Sequence, residues 1–95
     1  MTRALNPLVT DNVAEHRFEL VEAGQIAFAD YVRREGRLVI PHVEAPIALR
    51  GTGAASRLME GVAAHARTEG VRIVPLCSYA AAWLQRHPEY ADLIG

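Results

Sequence analysis

The segment from Leu49 to Ser56 reads Leu-Arg-Gly-Thr-Gly-Ala-Ala-Ser and joins a predicted strand to a predicted helix. Small residues let the backbone approach a ligand closely, and the first turn of a helix leaves amide N–H groups without partners. Such a turn can accept a phosphate or a pyrophosphate. The same segment could equally be a flexible connecting loop, and it lacks the Gly-Lys-Ser/Thr sequence of an ATP-binding P-loop. The segment alone leaves both interpretations open.

Three more side chains have types and positions suited to chemistry. Cys77 follows a short apolar run and precedes Ser78, which is predicted to cap a helix. A thiol at a helix N-terminus has its thiolate favoured by the helix dipole and could act as a nucleophile. His42 and Glu44 are two residues apart, so both side chains share one face of a regular strand, where either could accept a proton. The alternatives are an inert buried cysteine and a solvent-facing polar strand end.

Tyr79 and Trp83 are spaced one helical turn apart. They could cover a bound ligand, or they could pack in the core against the sheet. His16, His65 and His87 are too far apart in the chain to suggest a metal site, so no metal is expected.

Alternating hydrophobic residues predict three antiparallel strands at about residues 16–22, 25–34 and 37–44, joined by turns at Gly24 and at Glu35-Gly36. Pro41 has no amide donor, so it suggests an edge, a bulge or a break in pairing. Asp30 interrupts an apolar face and could be functional or could mark a strand end. Residues 1–14 are rich in turn-forming pairs and are expected to be irregular.

The period then changes to 3.6 between Ala55 and Ala66, which predicts a long helix ending at Gly70. Next the sequence predicts a buried strand at 71–76, a second helix from Ser78 to about His87, and a short final turn or helix at 88–94. The fold class is therefore α/β, a three-stranded antiparallel meander plus a parallel fourth strand, with two main helices. Parallel pairing would bring the C-terminal ends of the third and fourth strands to one edge of the sheet.

Whole-chain properties limit the function classes. The 95 residues make one domain, and a net charge of −1 gives no broad basic field for nucleic acid. No stretch approaches the roughly 20 apolar residues that span a bilayer, and the N-terminus has no apolar signal region. A single cysteine excludes an internal disulfide and fits a reducing compartment, so a cytoplasmic protein is expected.

Several motifs resemble those of the GNAT acyltransferase superfamily, and of its very small single-domain members in particular. The run from Arg50 to Ala55 matches the signature Arg/Gln-x-x-Gly-x-Gly/Ala. The small members also typically carry His-Thr-Glu-Val, Pro-x-Cys and His-Pro-Glu-Tyr. The corresponding runs here are His42-Val43-Glu44-Ala45, Pro75-Leu76-Cys77 and His87-Pro88-Glu89-Tyr90.

The resemblance implies a site for acetyl-CoA. The coenzyme contacts that it implies come from the backbone beside the pantetheine arm, from the pyrophosphate-binding loop and from an aromatic side chain: Glu44, Ala45, Arg50, Gly51, Thr52, Gly53, Ala54, Ala55, Ser56 and Trp83. It also implies that the two parallel strands separate and admit the thioester. Cys77 is then the expected nucleophile, with Glu44 and His42 as further catalytic candidates.

The leading hypothesis is an N-acetyltransferase that uses acetyl-CoA and an unidentified amine or thiol acceptor, either through a Cys77 acyl-enzyme or by direct attack. The chain departs from full-size superfamily members because only Gly24 and its neighbours stand where two helices usually build the acceptor wall. The alternatives are a non-catalytic acyl-CoA-binding or sensing module and a protein-interaction domain. A free sheet edge would allow either a monomer or a homodimer.

Overall fold

A single sheet and two helices account for most of the computed structural model, which describes residues 8–95. The strands are β1 (Val9–Asn12), β2 (Arg17–Glu22), β3 (Gln25–Arg34), β4 (Arg37–Glu44) and β5 (Arg72–Pro75). The helices are α1 (Ala54–Glu69) and α2 (Ser78–Arg86), and three 3-10 segments lie at Val13–Glu15, Ile47–Leu49 and Pro88–Leu93. The five strands lie in chain order, antiparallel from β1 to β4 and parallel between β4 and β5.

The predicted meander, the parallel strand and both main helices are confirmed. The expectation of an irregular segment at 1–14 is wrong for Val9–Asn12, which pairs along its whole length with β2; residues 1–7 lie outside the described residues. Ser78 is the first residue of α2 and not its cap. Cys77 takes the N-cap position, and no side chain hydrogen-bonds there.

Both helices pack against one face of the sheet. The buried strand residues on that face form one cluster with the apolar stripes of the helices, and fully buried members include Phe18, Leu20, Leu38, Ile40 and Ile73. The opposite face is open, since Val21, Ile26 and Val32 on it are 58%, 40% and 43% exposed. Among the described residues, no helix combines the length and apolarity needed to cross a bilayer.

A bulge in β4 changes which side chains face the helices. Val39 pairs with Val32 and His42 pairs with Asp30, so two residues of β4 lie opposite one residue of β3. Ile40 faces the core before the bulge, and Val43 packs against the core after it. The bulge contains Pro41, as its missing amide donor suggested.

Strand β1 lies directly on α1 at Gly61. A Cβ built on this glycine would lie 2.2 Å from Cγ2 of Val9 and 2.3 Å from its Cβ. The imidazole Nε2 of His65 donates to the Val9 carbonyl at 3.0 Å, one helical turn further along. This close contact explains how a strand as short as β1 is held against α1. It requires glycine at position 61, because any side chain there would collide with Val9.

Gly61→Ala should therefore destabilise the protein, although alanine is the better helix former by about 1 kcal/mol. The added methyl group overpacks the contact between β1 and α1, which typically costs about 1–3 kcal/mol. Urea denaturation of both proteins measures the difference in the free energy of unfolding. In a Val9→Gly background the colliding atoms are absent, so the same substitution should cost less. An equal cost in both backgrounds would contradict this packing.

Candidate functional site

The ladder between β4 and β5 stops well before β4 ends. The last paired residues are Ile40 and Pro75. The Ile40 carbonyl then accepts from the amides of both Leu76 and Cys77, each at 3.0 Å, and the chain turns into α2. From His42 to Glu44, β4 pairs with β3 and with no other strand in the described part of the chain. The predicted separation of the two parallel strands is therefore present, and it leaves a free backbone edge.

The loop and first turn at the start of α1 present unpaired backbone amides next to that edge. Gly53 occupies the N-cap position with φ of 86°, and as a glycine it has no side chain that could cap the helix. The first helical bond runs from the Arg57 amide to the Gly53 carbonyl, at 3.0 Å. Within residues 8–95 no acceptor lies in reach of the amides of Gly51, Gly53, Ala55 and Ser56. Unpaired amides at a helix N-terminus bind anions, and phosphate groups in particular.

Thr52 fixes the shape of the loop. Its amide and its hydroxyl both donate to the Leu49 carbonyl, at 3.2 and 2.5 Å. Its hydroxyl oxygen accepts from the Ala54 amide at 3.3 Å. The side chain of Thr52 therefore makes its hydrogen bonds within the loop, where it holds the neighbouring backbone.

An ion pair braces the same loop from the sheet. The Arg57 guanidinium donates to both carboxylate oxygens of Glu22, at 2.8 and 2.7 Å, and to the Thr52 carbonyl at 3.1 Å. Hydrogen bonding from Arg57 holds the pKa of the Glu22 carboxyl group below its ordinary value. Sequence inspection missed the brace because its partners are 35 residues apart and neither belongs to a motif.

Two adjoining clefts run from the loop to the end of β4. The first has a volume of about 270 Å³ and is lined by Ala45, Leu49, Arg50, Gly51, Gly53, Ala54, Ala55, Ser56 and Tyr79. The second has a volume of about 460 Å³ and is lined by His42, Val43, Glu44, Ala45, Arg50, Ala55 and Tyr79. Four residues belong to both clefts, so together they form one groove. It follows the free edge of β4.

His42 and Glu44 form a polar pair at the end of the groove. Nε2 of His42 donates to a Glu44 carboxylate oxygen at 2.9 Å, and the two side chains are 52% and 53% exposed. The pair lies on the open face of the sheet, where the Phe28 ring centroid is 6.1 Å from that of His42. A carboxylate that holds one imidazole nitrogen leaves the other free to accept a proton.

The remaining predicted site residues lie in different surroundings. Cys77 is partly buried against the core, outside both clefts. Trp83 is only 1% exposed, so it cannot cover a ligand as expected; it packs in the core, which was the alternative. Its indole N–H instead donates to the Ser56 hydroxyl oxygen at 2.9 Å. Tyr79 lines both clefts and is the aromatic side chain placed to contact a ligand.

Comparisons with known proteins agree with this architecture. A family model described as GCN5-related N-acetyl-transferase matches residues 17–93. The chain is also similar to the NMR solution structure of a GCN5-like protein from Staphylococcus aureus, with 22% sequence identity and a TM-score of 0.66. That match covers 99% of this chain and 91% of the other, and at this identity it shows a shared fold. A search of curated proteins found no match.

The brace between Glu22 and Arg57 makes the stability depend on pH. The folded-state pKa of Glu22 is lowered from 4.5. The ion pair's contribution to the free energy of unfolding is therefore fully present above about pH 4.5. It is lost as the pH falls through the folded-state pKa. Wild type should therefore be more stable than Glu22→Gln at pH 7, and the difference should shrink towards pH 3.

Urea denaturation at pH 7, 5 and 3 measures this difference. Glu35→Gln is the matched control, because Glu35 is exposed in the β3–β4 turn and its carboxylate has no hydrogen bond or ion pair within residues 8–95. A stability difference for Glu22→Gln that does not change with pH would contradict a charged brace at this position.

Proposed function

Because the chain belongs to the GCN5-related N-acetyl-transferase family, we propose that it transfers an acetyl group from acetyl-CoA to an amine. One observation supports this most strongly. The free edge of β4 and the unpaired amides at the start of α1 line a single groove. An elongated ligand with an anionic centre and an amide-containing arm matches that arrangement.

Each part of the coenzyme has a complementary part of the groove. The pyrophosphate would accept hydrogen bonds from the amides of Gly51, Gly53, Ala55 and Ser56, and the exposed Arg50 would add positive charge. The pantetheine arm carries two amide groups, which would pair with the backbone of 42–45 as an added strand does. Tyr79 lines the groove between these two parts.

Direct attack by the amine is the route that the positions of the side chains favour. The amine nitrogen would form a bond to the thioester carbonyl carbon, and the carbon–sulfur bond would break. His42 and Glu44 would take the proton that the nitrogen loses, and the leaving sulfur would take up a proton to become the coenzyme A thiol. Both side chains are exposed to solvent on the open face, where an acceptor can approach.

A Cys77 acyl-enzyme is the alternative route. Cys77 stands at the N-cap of α2, beside the point where β4 and β5 separate. Against this route, its side chain packs towards the core and lies outside both clefts. A second candidate function is acyl-CoA binding without catalysis. The open sheet face beside His42 and Glu44 favours it, because no element within residues 8–95 encloses an acceptor there.

Gly53→Val should remove coenzyme A binding. A β-branched side chain at φ of 86° strains the backbone, so the loop should leave the conformation that presents its amides. The new Cβ would also lie 3.0 Å from Nη1 of Arg57, which would displace the guanidinium that donates to the Thr52 carbonyl. Gly36→Val is the matched control, because Gly36 has φ of 79° and lies in the distant β3–β4 turn with open space around it. Calorimetry should detect coenzyme A binding to the control but not to Gly53→Val. Equal affinities would rule out the phosphate loop.

Glu44→Gln should lower kcat for acetyl transfer by about 10²–10⁴-fold and leave the affinity for acetyl-CoA nearly unchanged. The reason is that the Glu44 side chain would act on the acceptor's proton, while the Glu44 backbone would contact the coenzyme. Turnover with a panel of primary amines and calorimetry with acetyl-CoA measure the two effects.

Cys77→Ala separates the two routes in the same assays. Direct attack predicts that this variant retains turnover and that mass spectrometry of the wild type with acetyl-CoA shows no acetyl group on Cys77. An acetyl adduct on Cys77, with turnover lost in Cys77→Ala, would establish the acyl-enzyme route instead. Coenzyme binding with neither adduct nor turnover across the panel would favour the binding module.

A further inference from the structure

The buried indole of Trp83 makes a contact that core packing alone does not require. Its N–H donates to the Ser56 hydroxyl oxygen at 2.9 Å, although Trp83 is 1% exposed and Ser56 lines the first cleft. A hydroxyl group that accepts one hydrogen bond still has its own O–H to donate. Within residues 8–95 that O–H has no acceptor, so it remains available to the groove.

The geometry of this contact depends on the segment that follows α2. The His87 ring stacks on Trp83 with centroids 3.9 Å apart, and the Tyr90 ring stacks on it with centroids 5.5 Å apart. Nδ1 of His87 donates to the Trp83 carbonyl at 2.7 Å. These contacts hold the indole, whose rotation would otherwise break its hydrogen bond to Ser56.

Helix α1 holds the same segment in place. The Arg67 guanidinium donates to both carboxylate oxygens of Asp92, at 2.8 and 3.2 Å, and to the Glu89 carbonyl at 3.2 Å. Its charge also lies 5.8 Å from the Tyr90 ring centroid. Through these contacts the far end of α1 supports the indole that contacts its first turn.

We propose that Trp83 is a positioning residue, whose N–H orients the Ser56 hydroxyl so that its O–H donates to a coenzyme phosphate oxygen. The segment His87–Tyr90 holds the indole in the position and orientation that this hydrogen bond requires. This inference rests on the proposed binding of acetyl-CoA, and it gives the His-Pro-Glu-Tyr run a function in that binding. A hydroxyl held in advance loses less freedom on binding than one that rotates.

The test removes the indole N–H without changing the shape of the side chain. Trp83 is the only tryptophan in the chain, so growth of a tryptophan auxotroph on β-(benzothiophen-3-yl)alanine replaces this residue alone. Sulfur then stands where the N–H was. The analogue is made in the wild-type and Ser56→Ala backgrounds, and Trp83→Phe serves as a second variant. Calorimetry measures coenzyme A affinity, and thermal unfolding confirms that each protein folds.

Ser56→Ala should weaken coenzyme A binding about tenfold, the size expected for a hydrogen bond to a charged group. The sulfur analogue should weaken binding severalfold in the wild-type background and cause no further loss in Ser56→Ala. A purely structural role for Trp83 would lower affinity equally in both backgrounds, or not at all, and either result overturns the inference. If the unaltered protein does not bind coenzyme A, the proposed function itself fails.

Discussion

One extra residue in β4 determines the arrangement of the candidate site. Between the pairs Val39–Val32 and His42–Asp30, two residues of β4 lie opposite one of β3. Because a shift of one residue moves a strand's side chains to the other face, a regular strand would turn His42 and Glu44 towards the helices. The bulge puts both on the open face instead. Pro41 suits this position, since it cannot donate to β3.

The same stretch of β4 also creates the groove. At Ile40 a single carbonyl accepts two amides from the end of β5, and the parallel ladder ends there. Beyond it no strand within residues 8–95 pairs with the second edge of β4, and the start of α1, whose N-cap is a glycine, lies beside that edge. The braces at Glu22–Arg57 and at Trp83–Ser56 hold that helix start from the sheet and from α2. The contacts that stabilise this part of the fold therefore also shape the candidate site.

Local patterns predicted the strands, the helices and the loop because alternation, helical periodicity and turn chemistry are properties of neighbouring residues. Features that depend on distant residues were missed. Strand β1 has only four residues and is held by the approach of Val9 to Gly61. The brace from Glu22 to Arg57 joins residues without a motif. Trp83 was expected at the ligand, but its burial depends on how α2 and the His87–Tyr90 segment fold together.

In the proposed binding mode, the coenzyme lies along the loop amides and the free edge of β4. Backbone amide NMR during a titration with coenzyme A tests it residue by residue in a protein of this size. Coenzyme A bound in this way should cause the largest shift changes, and slower hydrogen exchange, at Gly51, Gly53, Ala55 and Ser56 and along 42–45. Changes centred instead on the separate cavity lined by Val13, His16, Tyr31, Val32 and Arg33, with the loop amides unaffected, would contradict it.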